Sequence, residues 1–207
     1  IYNKVVLMPV TTDEMGKPTI SIKILNPKEG KYSVQLIKVD EKGKKITDYD
    51  ADFTVNGNKK TTSNGVINVE NGAKISQISQ IFEYNVEETR APAGFDKLDG
   101  KIILNLISKE DKDKLTIDSE NSTLTFKGRN VTKSNQDGVF DESQSVAWYF
   151  DNSGNFPAIK IYIKNTKKIF DLALRKNIET VTSSNGDKTQ YKIRNPNLNS
   201  TSNLVWY

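Results

Sequence analysis

Apolar and polar residues alternate with a period of two over much of the chain, in short runs separated by clusters of turn-forming residues. The pattern predicts strands over 19–25, 32–39, 52–55, 65–69, 83–88, 101–107, 114–118, 122–127, 145–150, 158–164 and 169–176. The intervening stretches include "DEKGKK", "VNGNKK", "TSNG", "SNQDG" and "DNSGN", rich in residues that tolerate tight turns. Many short strands punctuated in this way predict an all-β antiparallel sandwich. One stretch, "NGAKISQISQIF", carries Ala73, Ile75, Ile78 and Ile81 at a loosely helical spacing and is expected to form a short helix.

The alternation also reveals an internal repeat. "ISIKILNPKEGKYSVQLIK" from Ile20 and "IKIYIKNTKKIFDLALRK" from Ile159 both place Ile at alternate positions and then Asn two residues after the last Ile. Each continues through a short Pro- or Lys-containing link to an aromatic residue and alternating apolar positions that end in Lys. The offset is about 139 residues, Ile20 to Ile159, which is the size of a domain. Each copy reads as the last strand of one module, a linker and the first strand of the next. Residues 1–27 are therefore expected to be the tail of a preceding module, 31–166 a complete module and 167–207 the beginning of a following one. The chain reads as a slice of a longer tandem array.

Three polar residues close apolar strand faces in the complete module. Lys38 shares a face with Tyr32, Val34 and Leu36; Glu88 with Tyr84 and Val86; Asn165 with Ile159, Ile161 and Ile163. Taken singly, each has a plain explanation: a lysine reaching water by its stem, a solvated acid before a turn, and a turn-forming asparagine. Their co-occurrence, and the recurrence of Asn26 and Lys176 in the flanking copies, points to something more specific. Burial disfavours charge on both Lys38 and Glu88. A neutral amine is a nucleophile, and a neutral carboxylic acid can shuttle protons to a carboxamide. Groups held together reach effective molarities of ~10⁵ M or more. The expected reaction is attack of Lys38 Nζ on Asn165 Cγ with loss of ammonia, promoted by Glu88. Asn26 and Lys176 would be unpaired counterparts whose partners lie outside the chain. Asn105, in "KIILNLIS", competes with Asn165 as the acceptor.

Composition removes most other chemistry. The 207 residues include no Cys and no His, which excludes thiol nucleophiles, His-based triads and the usual zinc sites. The net charge of +4 arises from 30 basic and 26 acidic residues, nearly all the basic ones Lys, without a basic block interleaved with aromatics. Nucleic-acid binding is therefore not expected. No apolar run approaches the ~20 residues needed to span a bilayer, so no membrane insertion is expected of this stretch. No cofactor or metal is implied.

The segment "YNVEETRAPAGF", Tyr84 to Phe95, resembles the E-box of Cna-B-type domains, the prealbumin-like modules of Gram-positive surface adhesins and SpaA-type pilins. The family pattern Tyr-x-aliphatic-x-Glu-Thr-x-Ala-Pro-x-Gly-aromatic is met at every fixed position. "LIKVDEKGKKITDYDADFTV" is similar to the family's opening strand and hairpin. The resemblance covers roughly 31–107 and 158–166. It implies an Ig-like or prealbumin-like sandwich with a self-formed isopeptide bond, the reactive lysine at Lys38, the catalytic acid at Glu88 and the acceptor at Asn165. It further implies an extracellular, wall-associated location, with neighbouring modules of the same chain as partners and a host or extracellular ligand as a further candidate. A departure is the long stretch 108–157 between the E-box and the final strand.

That insert carries the rival function. Trp148, Tyr149 and Phe150, with Asp137, Asp141 and Glu142, offer an adhesive surface or a calcium site in a module without a crosslink. The preferred reading of "VAWYF" is a core strand, and the acid spacing in "NQDGVFDE" does not match a calcium loop. Turnover of an external substrate is not expected. Glu87 and Glu88 point to opposite faces and cannot act as a carboxylate pair.

Overall fold

The structure is a computed structural model, and it describes residues 4–25, 28–139, 141, 143–168, 181–182 and 188–189. In chain order the strands are β1 (Lys4–Leu7), β2 (Thr11–Thr12), β3 (Pro18–Thr19), β4 (Ile22–Leu25), β5 (Gly30–Val39) and β6 (Asp52–Val55). They continue as β7 (Asn58–Thr61), β8 (Val66–Ile75), β9 (Ile81–Arg90), β10 (Lys101–Asp111), β11 (Lys114–Ile117) and β12 (Thr123–Phe126). The last are β13 (Arg129–Asn130), β14 (Val146–Asp151), β15 (Ala158–Lys164), β16 (Val181–Thr182) and β17 (Lys188–Thr189). The chain divides into two compact units, Ile1–Lys168 and Ile169–Tyr207. In the second, β16 and β17 form an antiparallel pair.

Two sheets make the sandwich in the first unit. One has the order β14-β15-β5-β8, and the other β13-β12-β10-β9-β6-β7 with β11 paired to the far end of β10. All pairings are antiparallel except that of β15 with β5, the first and last strands of the module, which run parallel with Ile163 opposite Lys38. The alternation expected from sequence governs burial. Tyr32, Val34 and Leu36 of β5 and Ile159, Ile161 and Ile163 of β15 pack against Phe53, Tyr84, Val86, Leu104 and Leu106 of the other sheet. The approach is close where β5 begins: a Cβ on Gly30 would lie 1.8 Å from the Leu115 carbonyl oxygen, so only glycine fits.

The expected helix at 71–82 is not formed. Ala73 and Ile75 belong to β8 and pair with Tyr32 and Gly30 of β5, and Ile81 opens β9. Between the strands the chain reverses through Ser79, at φ 57°. Strand pairing and burial of Ile75 outweigh a loosely helical spacing in which Gly72 is itself a poor helix former. The predicted strand 19–25 is interrupted at Ile20–Ser21, and 65–69 extends to ten residues. Strand 169–176, with Lys176, lies outside the described residues, as does Asn26.

The insert 108–157 is built into the sandwich. It completes β10 and supplies β11, β12 and β13 to one sheet and β14 to the other. "VAWYF" is a core strand: Val146, Trp148 and Phe150 are buried, and Trp148 Nε1 donates to the Val131 carbonyl at 2.8 Å.

Candidate functional site

β5 and β9 lie in opposite sheets and present corresponding inward layers. Tyr32 meets Tyr84 through a hydroxyl–hydroxyl hydrogen bond of 2.6 Å at one end of the interface. At the other end stand Lys38 and Glu88. Strand alternation forces all four side chains inward, since each is separated from the next inward residue by two positions.

Three backbone features fix this second end. Lys38 N–H donates to the Gly65 carbonyl at 2.8 Å, and its own carbonyl accepts from Ile46 N–H at 2.9 Å. Asn165 follows the last residue of β15, and its N–H donates to the Val39 carbonyl at 3.0 Å, which continues the parallel ladder past Lys38. Glu88 is held in β9 opposite Phe53. One register step away, Arg90 grips Asp52 through Nε and Nη2 at 2.9 and 3.1 Å.

The three side chains converge. Lys38, Glu88 and Asn165 are 2%, 1% and 2% exposed. Glu88 Oε1 lies 3.0 Å from Lys38 Nζ and accepts from Asn165 Nδ2, also at 3.0 Å. Lys38 Nζ also donates to Asn165 Oδ1, so amine, carboxamide and carboxylate are in mutual contact. The Phe53 ring closes another side, its centroid 5.6 Å from Nζ, within range of a cation–π contact. Burial pulls Lys38 down from the ordinary lysine range to about 8, while the charge and hydrogen bond of Glu88 work in the opposite direction.

Glu88 Oε2 accepts from the backbone N–H of Leu98 at 2.5 Å. Leu98 belongs to the loop that follows β9. That loop turns at Pro92–Phe95, where Phe95 N–H reaches the Pro92 carbonyl at 3.1 Å and Gly94 takes φ 83°. It then runs beside the residues after Asn165: Asp96 N–H donates to the Thr166 carbonyl and Lys168 N–H to the Gly94 carbonyl, each at 2.9 Å. Neither Phe53 nor the Leu98 N–H was singled out from sequence. The ring looks like any core aromatic there, and a backbone donor leaves no side-chain signature.

Asn105 is placed elsewhere. In β10 the buried residues are Ile102, Leu104, Leu106 and Ser108, so Asn105 shares the outer face with Ile103 and Ile107, paired with Glu83 and Thr123. It does not meet Lys38. Among the acids of the insert, Asp137 bonds Lys160 and Tyr162, and Asp141 bonds Ser143. Glu142 lies outside the described residues. Every buried side-chain nitrogen and oxygen among the described residues has a partner.

No protein-family model matches the chain, and no curated protein matches it. Among solved structures it is similar to the pilus adhesin SpaC from Lactobacillus rhamnosus GG in an open conformation, at 14% identity and a TM-score of 0.41. That match covers 81% of this chain and 20% of the adhesin, so the chain spans about a fifth of its length. It is also similar to a C-terminal fragment of the same adhesin, at 13% identity and a TM-score of 0.40, covering 80% of this chain and 59% of the fragment.

Proposed function

We propose that residues 31–166 form a structural stalk module of a Gram-positive surface adhesin or pilin, locked by an amide that Lys38 and Asn165 make with one another. The observation that carries this reading is the buried mutual contact of Lys38, Glu88 and Asn165. A buried ion pair beside a carboxamide is costly to assemble for stability alone. It is well arranged for acyl transfer. The Cna-B-like E-box in the sequence supports the same assignment.

The chemistry starts from the Lys38 ammonium and the Glu88 carboxylate. Proton transfer to Glu88 Oε1 gives a neutral amine, whose lone pair attacks Asn165 Cγ. Glu88 Oε1, in contact with both nitrogens, gives its proton toward Nδ2 and takes one from Nζ. A proton then reaches Nδ2, the Cγ–Nδ2 bond breaks, and ammonia leaves. Counted overall, the ammonium, the carboxylate and the carboxamide become a secondary amide, ammonia and a protonated Glu88. A crevice of about 180 Å³ lined by Asp96, Leu98, Asn165 and Thr166, among others, offers ammonia a way out. The reaction occurs once per chain and consumes no external substrate.

The topology suits such a bond to a mechanical role. Tension entering at Gly30 runs along β5 to Lys38, crosses to Asn165 and leaves toward residue 168. The strands between lie outside that path. A stalk exposed to pulling and proteolysis outside the cell, in a tandem array without cysteine, gains from such a lock, and neighbouring modules are its immediate partners. The test is the intact mass of the chain and of Glu88→Ala under denaturing conditions. The reading predicts a deficit of about 17 Da, one ammonia, in the parent alone; full mass in both overturns it.

A further inference from the structure

We propose that the loop 92–98 is a positioning strap for the crosslinking reaction, and that the Leu98 backbone N–H aims Glu88 at its two partners. The inference rests on the crosslinking reading above and adds to it the element that orients the acid.

A carboxylate at the end of a glutamate side chain rotates freely unless both oxygens are engaged. In this site they are engaged differently. Oε1 faces both reacting groups, at 3.0 Å from Lys38 Nζ and 3.0 Å from Asn165 Nδ2. Among the described residues, Oε2 receives only the Leu98 N–H, at 2.5 Å. This hydrogen bond fixes the carboxylate plane. It also engages the remote oxygen with a donor, leaving Oε1 to carry the proton that must pass from Nζ to the carboxamide. Every transfer then occurs between atoms already in contact, where a small displacement is costly in rate.

The same loop holds the acceptor. Asp96 N–H and the Gly94 carbonyl bond the backbone of Thr166 and Lys168, and Phe95 forms a bridge with Lys167. These ties flank Asn165 on its C-terminal side, beyond the end of β15, where Lys167 N–H also donates to Glu41 Oε1 at 2.9 Å. The buried Leu98 side chain anchors the strap in the core. One loop therefore sets both the acid and the carboxamide, although it contributes no side-chain functional group to the chemistry.

The test separates the N–H from the side chain. The full chain is produced by cell-free synthesis, synthesis is stopped, and mass loss is followed in samples quenched in denaturant. Leu98→Ala keeps the N–H and removes the packing; replacing Leu98 by its α-hydroxy acid analogue keeps the side chain and removes the N–H without restricting the backbone. Leu98→Pro removes both. The hydroxy acid form is expected to react ~10-fold or more slowly than the parent, the scale of one hydrogen bond to a charged group. Leu98→Ala, which loosens the strap but keeps the N–H, is expected to be slowed less than the hydroxy acid form. Melting temperatures of all three on a Glu88→Ala background, where no bond forms, separate loss of fold from loss of positioning. Equal rates for the parent and the hydroxy acid form would overturn the strap while leaving the crosslink standing. A parent that keeps its full mass would overturn both.

Discussion

Lys38 and Asn165 stand at the same end of two parallel neighbouring strands, although 127 residues separate them in sequence. The first and last strands of the module thus meet side by side, and a bond between their ends encloses nearly all of the sandwich. The consequences can be measured one at a time.

Asn165→Ala is expected to destabilise the module by about 5 kcal/mol, the chain-entropy value for releasing a loop of this length. It is the cleanest variant for this purpose, because it leaves Lys38 paired with Glu88 rather than stranding a buried charge. Denaturant titration of parent and variant gives the difference. A loss below ~1 kcal/mol, the scale of an ordinary polar truncation, would mean that no loop had been closed.

Asn105→Ala should leave the bond intact. Its outward position on β10 keeps it from the amine, so the variant is expected to show the same ammonia deficit as the parent. Loss of that deficit, with the fold retained, would reassign the acceptor.

The rate of bond formation should fall as pH rises above about 8. The reactive state holds one proton shared between Lys38 and Glu88, and burial brings the departure of that proton from Lys38 down to about 8. Above that pH the amine is free but the acid that must protonate the carboxamide is missing. Time courses from freshly synthesised chain at a series of pH values would show this. A tenfold rise per pH unit up to about 8, with a plateau above it, would instead identify the free amine beside the carboxylate as the reactive form.

Pulling on the chain from its two termini should release no extension from the segment between Lys38 and Asn165. In Glu88→Ala, unfolding the same segment should add roughly 40–45 nm, at ~3.3–3.6 Å per extended residue. Single-molecule force spectroscopy reads this step directly, and an equal step in the parent would remove the proposed mechanical role.

Acid stability should depend on Asp52. Arg90 first, with Thr61 and Lys59, holds its carboxyl well below the usual range in the fold. A depressed carboxyl contributes stability that is complete above its unfolded value, about 3.9, and is lost as pH falls toward its folded value. Denaturation midpoints between pH 2 and 6 should therefore fall more steeply for Glu88→Ala than for Glu88→Ala/Arg90→Ala. Parallel acid limbs would show that the Asp52–Arg90 pair adds nothing to folding.

Much of this architecture is legible in the period-two pattern. Inward alternation places Lys38, Glu88 and Asn165 on core faces before any contact is known, because a strand offers only two sides. The same rule decides against Asn105 only after the buried face of β10 is seen, since Ile103 and Ile107 compete with Leu104 and Leu106 for the core. The stretch 71–82 misleads because its apolar spacing is ambiguous until β5 pairs with it. The strands expected within the insert, at 114–118, 122–127 and 145–150, are formed and complete both sheets. Leu98 is invisible in sequence for another reason: its contribution comes from a backbone N–H that any residue but proline carries.

The central claim is a covalent bond between two named atoms, and a protease digest of the denatured chain analysed by tandem mass spectrometry tests it most directly. One branched peptide joining Lys38 to Asn165 is expected, lighter by about 17 Da than its two linear parts and absent from Glu88→Ala. Recovery of the two linear peptides from the parent, with Lys38 and Asn165 both unmodified, would contradict it.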